Sequence, residues 1–153
     1  MQHPESLRDL VKRARGSRRV GRRAVLAGVM GGLAGCTSGI VDDPSFPDAD
    51  VIAAPENEFA FEPDELTVSV GDTVRWGFAS GGHNVSCRPD DAGVVSLPGG
   101  AEQFASYSPG DDPDVTLVER GGTYEHTFEV PGQYTYVCIP HADSGMVGTI
   151  RVE

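Results

Sequence analysis

Past Lys12 this chain of 153 residues has no lysine, and past Gly35 only four arginines remain: Arg75, Arg88, Arg120 and Arg151. Against them stand twenty-one of the twenty-three Asp and Glu, so residues 36–153 carry a formal balance of −17. A surface this poor in cations repels nucleic acid and anionic membrane, and no nucleic-acid partner is expected. It fits a protein kept soluble in concentrated salt, where screening acts over a few ångströms, so a halophilic origin is expected. Long apolar runs are also missing. The longest, Ala24 to Gly35, has about 12 residues where a membrane-spanning helix needs about 20. After residue 36 no segment sustains a 3.6-residue apolar period, which argues against a helical architecture. Cysteine is scarce. Only Cys36, Cys87 and Cys138 occur; Cys87 reads as a small buried hydrophobe, and a Cys36–Cys87 bridge is left open by the sequence.

What is present divides the chain into three. Residues 1–35 hold eight of the twelve Lys/Arg, with Arg18-Arg19 and Arg22-Arg23 ahead of the apolar run. This resembles a twin-arginine export signal, a route for proteins already folded. The signal ends in Leu33-Ala34-Gly35-Cys36, which resembles a lipoprotein processing box. That resemblance implies cleavage before Cys36, lipidation of its sulfur, and tethering to the outer face of the cytoplasmic membrane. Residues 36–54 are small, acidic and Pro-containing, and are expected to form a flexible linker. Residues 55–153 are expected to form one domain, for which 39% hydrophobic content is sufficient.

Within that domain the apolar period becomes two. Phe59 and Phe61 alternate with polar neighbours before Pro63-Asp64; Leu66, Val68 and Val70 follow. Val74, Trp76 and Phe78 share one face of Thr73 to Phe78. Tyr124 to Val130 and Gln133 to Cys138 read as strands split by Pro131-Gly132, and Val147 to Val152 as the last strand. The stretch 86–122, rich in Gly, Pro, Ser and Asp, carries little strand signal, and Asp111-Asp112-Pro113-Asp114 reads as a solvated loop. Many short strands with turn signals imply an all-β sandwich or barrel.

The chemistry sits in Cys138-Ile139-Pro140-His141-Ala142-Asp143-Ser144-Gly145-Met146, a C-x2-H-x4-M run. Tyr134, Tyr136 and Cys138 share one strand face, so inward tyrosines direct the thiol inward as well. The loop can return His141 and Met146 to the same point, and Gly145 permits a tight approach. His83, after Gly81-Gly82, follows the Trp76–Phe78 strand. A thiolate, two imidazoles and a thioether form the donor set of a mononuclear copper electron-transfer centre: Cys138, His83 and His141 in a trigonal plane, Met146 axial. Zinc would want four strong ligands, and thioether is a poor one. Met1 and Met30 precede the expected cleavage point, which leaves Met146 as the only thioether. His126 lies mid-strand and reads as a surface or packing residue rather than a metal ligand. A copper enzyme needs further histidines that the chain lacks, so none is expected; copper delivery to an oxidase is the alternative to electron transfer.

Phe59-x-Phe61-x-Pro63, Leu66-x-Val68, Gly71-Asp72-x-Val74-x-Trp76, His83-Asn84-Val85 and Pro131-Gly132-x-Tyr134-x-Tyr136-x-Cys138-x-Pro140-His141, with Gly145-Met146-x-Gly148, resemble the plastocyanin family, and within it the membrane-tethered halocyanins. The resemblance implies an eight-stranded Greek-key β-sandwich, the cupredoxin fold, holding one Cu(I)/Cu(II) ion. It implies the ligands His83, Cys138, His141 and Met146, and a bracing role for Asn84 beside the cysteine. It further implies a monomer passing single electrons between membrane redox complexes, with His141 as the electron exit and Gly82 and Pro140 in the docking face. Plant plastocyanins have an exposed tyrosine before the cysteine. Val137 stands there in this chain, which makes a second electron route on that flank doubtful.

Overall fold

A computed structural model of the chain describes residues 45–153. The expected signal, the lipidation site Cys36 and the first part of the linker lie outside the described residues. Nine strands are present among those described: β1 Val51–Ala53, β2 Phe61–Glu62, β3 Glu65–Val68, β4 Thr73–Phe78, β5 Ser86–Cys87, β6 Phe104–Ala105, β7 Thr123–Thr127, β8 Gly132–Val137 and β9 Val147–Val152. They form two mixed sheets, β2-β1-β4-β7 and β3-β9-β8-β5-β6.

The period-two pattern places the core between these sheets. Val74, Trp76 and Phe78 of β4 face Tyr134 and Tyr136 of β8, and each of the five is buried. Trp76 meets Tyr136 edge-on, with centroids 5.4 Å apart and planes at 84°. Phe61 meets the same tyrosine at 4.8 Å. These are the offset geometries that the ring quadrupole favours. Tyr136 lies opposite Gly148 in the β8–β9 ladder. A Cβ on Gly148 would overlap the Tyr136 ring, so the glycine creates the space the tyrosine fills.

The expected linker is structured at its C-terminal end. Val51–Ala53 is fully buried and pairs in parallel with β4, Val51 opposite Trp76 and Ala53 opposite Phe78. Phe46 is also buried and lies against Gly77, where a Cβ would come within 2.6 Å of its ring. The domain therefore starts upstream of residue 55. A three-residue strand is too short for its alternation to stand out from an acidic, Pro-containing surround. Among the described residues no helix is long and apolar enough to cross a membrane.

Candidate metal centre

β8 ends at Val137, and Cys138 follows as the inward residue, fully buried. Its backbone N–H donates to the Met146 carbonyl at 3.1 Å, and its carbonyl accepts from the His141 N–H at 3.2 Å. The Met146 N–H in turn donates to the His141 carbonyl at 3.2 Å. A short 3-10 helix, Ile139–Ser144, thus folds the loop back on the strand end. Gly145 closes it in the left-handed region at φ 84°, a conformation glycine adopts at little cost. The loop returns Met146, also fully buried, to the position beside Cys138.

His83 reaches the same place from the other sheet, past β4. Its carbonyl accepts from the Val118 N–H at 2.8 Å, and its side chain is buried. Its Nδ1 lies 3.8 Å from the Cys138 Sγ, and the His141 Nδ1 lies 3.4 Å from it. The donor atoms of the three residues lie within 4.8 Å of one another. Bonds of about 2.0 Å to nitrogen and about 2.3 Å to sulfur, at tetrahedral to trigonal angles, separate the two donors by about 3.5 to 3.7 Å. The residues therefore fit one small first-row metal ion. The thiolate and thioether suit Cu(I), and the imidazoles suit either oxidation state of copper.

The electrostatics fit as well. Burial, and then the neighbouring His141, lower the His83 pKa from its ordinary value, which favours the neutral imidazole whose lone pair binds a metal. Burial pushes the Cys138 thiol up, with the backbone N–H groups of Asn84 and His141 pulling the other way. A metal ion replaces the thiol proton on binding.

Asn84 ties the two stretches together. Its backbone N–H points at the Cys138 Sγ, 3.4 Å away. Its Oδ1 accepts from the Ile139 N–H at 2.9 Å. Its Nδ2 donates to the carbonyls of Pro113 at 2.7 Å and Thr116 at 3.3 Å. Asn84 itself is fully buried. Such outer partners orient the ligands and tune their basicity.

Similarity to known proteins decides the family. Residues 49–153 match the family described as copper binding proteins, plastocyanin/azurin family. The chain belongs to that family. A halocyanin from Natronomonas pharaonis is 37% identical over 105 residues, covering 67% of this chain and 54% of its own length. A plastocyanin from Scenedesmus fuscus is 32% identical over 103 residues, covering 67% of this chain and 95% of its own. Among solved structures, a pseudoazurin from Sinorhizobium is similar at TM-score 0.50 and 27% identity, over 67% of this chain and 71% of that one. The two-sheet β architecture is thus the cupredoxin fold expected from the sequence, and the cofactor of this plastocyanin-like domain is copper.

The structure brings His83, Cys138, His141 and Met146 together and puts Asn84 where a bracing residue belongs. One further position agrees with its reading and one departs from it. Val137 is fully buried, with Ser86 as its ladder partner, so the residue before the cysteine offers no exposed ring to a partner. Phe59 was expected to alternate with Phe61 along a strand. Instead it precedes β2, stands 50% exposed, and stacks on the His141 ring at 4.1 Å and 14°. The interruption is local: Ala54, Glu56 and Asn57 all take positive φ, and Pro55–Asn57 forms a 3-10 turn. Proline with Glu56-Asn57-Glu58 just ahead of Phe59 is the signal in the sequence against a continuous strand.

Proposed function

We propose that this cupredoxin is a one-electron carrier whose copper is held by His83, Cys138 and His141 with Met146 as the axial ligand, and that it performs no catalysis. The observation that carries the reading is the convergence of one thiol and two imidazoles from distant stretches on a single buried point at a strand end. Bound copper supplies a centre that alternates between Cu(I) and Cu(II), one electron at a time. The residues supply the rest. Cys138 and Met146 are fully buried, which excludes water, while His141 is only half-buried and brings one ligand edge to the surface. Phe59 stacks on its ring, and with Pro140, which precedes it, and Gly82, which precedes the neighbouring His83, offers an apolar and small-residue face suited to brief docking with a redox partner.

The proposed setting is the outer face of the cytoplasmic membrane. Lipid on Cys36 would hold the domain there, and the chain ahead of the first strand would let it reach membrane-bound donor and acceptor complexes as a monomer. The arginine pairs ahead of the apolar run and the processing box at Leu33–Cys36 support this setting.

Absorption spectroscopy tests the centre. Copper-loaded oxidised protein should be intensely blue from thiolate-to-copper charge transfer. Cys138→Ser should remove the colour and leave the apo fold intact. A colourless, redox-silent wild-type copper protein refutes the reading. Copper delivery to an oxidase is the competing role. The full burial of two sulfur donors favours retention, so copper should survive many redox cycles in the presence of a competing chelator; rapid loss of Cu(I) to the chelator favours delivery.

A further inference from the structure

The run Asp111-Asp112-Pro113-Asp114 reads as a solvated loop, yet it is joined to the metal centre by an unbroken series of hydrogen bonds. We propose that Asp112 is a positioning residue for the copper site, acting through Asn84. Asp112 caps a single tight turn. Its Oδ1 accepts from the Asp114 N–H at 3.0 Å. Its backbone carbonyl accepts from Thr116 at 2.9 Å and Val115 at 3.3 Å. Pro113 follows the cap, where a fixed φ and a missing N–H cost nothing.

This turn aims two backbone carbonyls, of Pro113 and Thr116, at the Asn84 amide nitrogen. With both hydrogens of Nδ2 engaged, the amide plane is set and Oδ1 faces the Ile139 N–H. Ile139 directly follows Cys138. The Asn84 backbone N–H points at the Cys138 sulfur. The Val118 N–H, two residues past the turn, holds the His83 carbonyl. An exposed carboxylate therefore controls the carbonyls that fix Asn84, and Asn84 sets the hydrogen bonding around the thiolate, which is one of the levers on the potential of such a centre.

The neighbouring carboxylates supply the controls. Asp111 accepts from the Ser108 N–H at 2.9 Å and closes the preceding turn. Asp114 is exposed and its side chain accepts none of the hydrogen bonds found among the described residues. Removing its charge alters the field at the site without touching the turn. Asp112→Asn removes charge and keeps a cap, since Asn ranks with Asp there. Asp112→Ala removes both.

The test uses the full chain in two states. In the copper-free protein, amide hydrogen exchange at Ile139 is measured by NMR. Loss of a cap should speed it about fivefold in Asp112→Ala, while Asp112→Asn and Asp114→Asn keep the wild-type rate. Trp76 in β4 should keep its rate in all three. In the copper-loaded protein, Asp112→Ala should lower the reduction potential, because a loosened N–H···S contact leaves the thiolate more electron-rich, and Asp112→Asn should restore it. A wild-type Ile139 rate in Asp112→Ala overturns the proposal. So does equal acceleration at Trp76, which makes the effect global, or the same change in Asp114→Asn, which makes it one of charge. The positioning claim rests on the copper reading only for the potential; the exchange rates stand without metal.

Discussion

Phe59 is half exposed and its ring lies flat on His141. Stacked rings shield each other's edge protons, and such a pair contributes about 0.5–1.5 kcal/mol beyond area burial. Phe59→Ala should therefore move the His141 ring-proton resonances of the Cu(I) protein downfield. The resonances of His83, whose ring centroid is 6.0 Å from Phe59 and tilted, should move less. Unchanged His141 resonances would show that the stack does not exist in solution. Met146 calls for a different measurement. It is the thioether at the axial position of the proposed site, and the axial ligand tunes the potential. Met146→Gln, a stronger oxygen donor, should lower the reduction potential, and an unaltered value would count against Met146 as a ligand. Most of the site was legible at this scale because ligand chemistry restricts residue types: few side chains bind copper, and the C-x2-H-x4-M spacing can form only on a tight loop. The role of Phe59 was not legible, since an aromatic at period two from Phe61 has the same signature as a core residue. Cys87 was legible by exclusion. It is buried and free, its thiol faces the carbonyls of Thr135 and Ser96, and burial raises its pKa to about 12, which makes it a poor nucleophile.

Among the elements, long strands were easier to read than short ones. β4, β8 and β9 each have six residues, enough for alternation to declare itself, and their bounds fall close to those expected. β1, β5 and β6 have three residues or fewer. Their existence depends on partners across the sandwich, which no local pattern records. β6 shows the consequence. Phe104 stacks on His126 of β7 at 4.2 Å and 20°, and this pair joins the edge of one sheet to the edge of the other. The expected packing role of His126 is thus given a definite partner. Burial lowers the His126 pKa, with Glu102 pulling it the other way. A histidine lowered in the fold is neutral in both states above its ordinary value of 6.5. As pH falls through that value the unfolded chain takes the proton first, so stability is lost with acidification. Between about pH 7.5 and about pH 5 the wild type should lose more stability than His126→Gln, compared by urea midpoints on the apo proteins. Equal slopes for the two would mean that the seam does not sense the proton.

At the level of the molecule, charge is the dominant unresolved load on the fold. Among the four cations of residues 36–153, Arg75 pairs with Glu125 and Arg151 with Glu65, while Arg88 lies 5.0 Å from the Tyr107 ring centroid. Exposed pairs of this kind contribute about 0–1 kcal/mol each and cannot offset a formal balance of −17 over those residues. Self-repulsion should therefore destabilise the fold in dilute buffer and be relieved by salt, whose screening length falls to about 3 Å at 1 M. The melting temperature in multimolar potassium chloride should exceed that in low salt. Salts can also strengthen apolar burial, so the rise alone does not identify screening. A variant carrying Asp90→Asn, Glu102→Gln, Glu119→Gln and Glu129→Gln separates the two causes. All four side chains are exposed, and none accepts a hydrogen bond found among the described residues. If repulsion is the cause, this variant should melt higher than the wild type in dilute buffer and gain less from added salt. If its gain equals that of the wild type, the salt acts through burial, and the acidic surface serves solubility rather than setting the salt dependence of the fold.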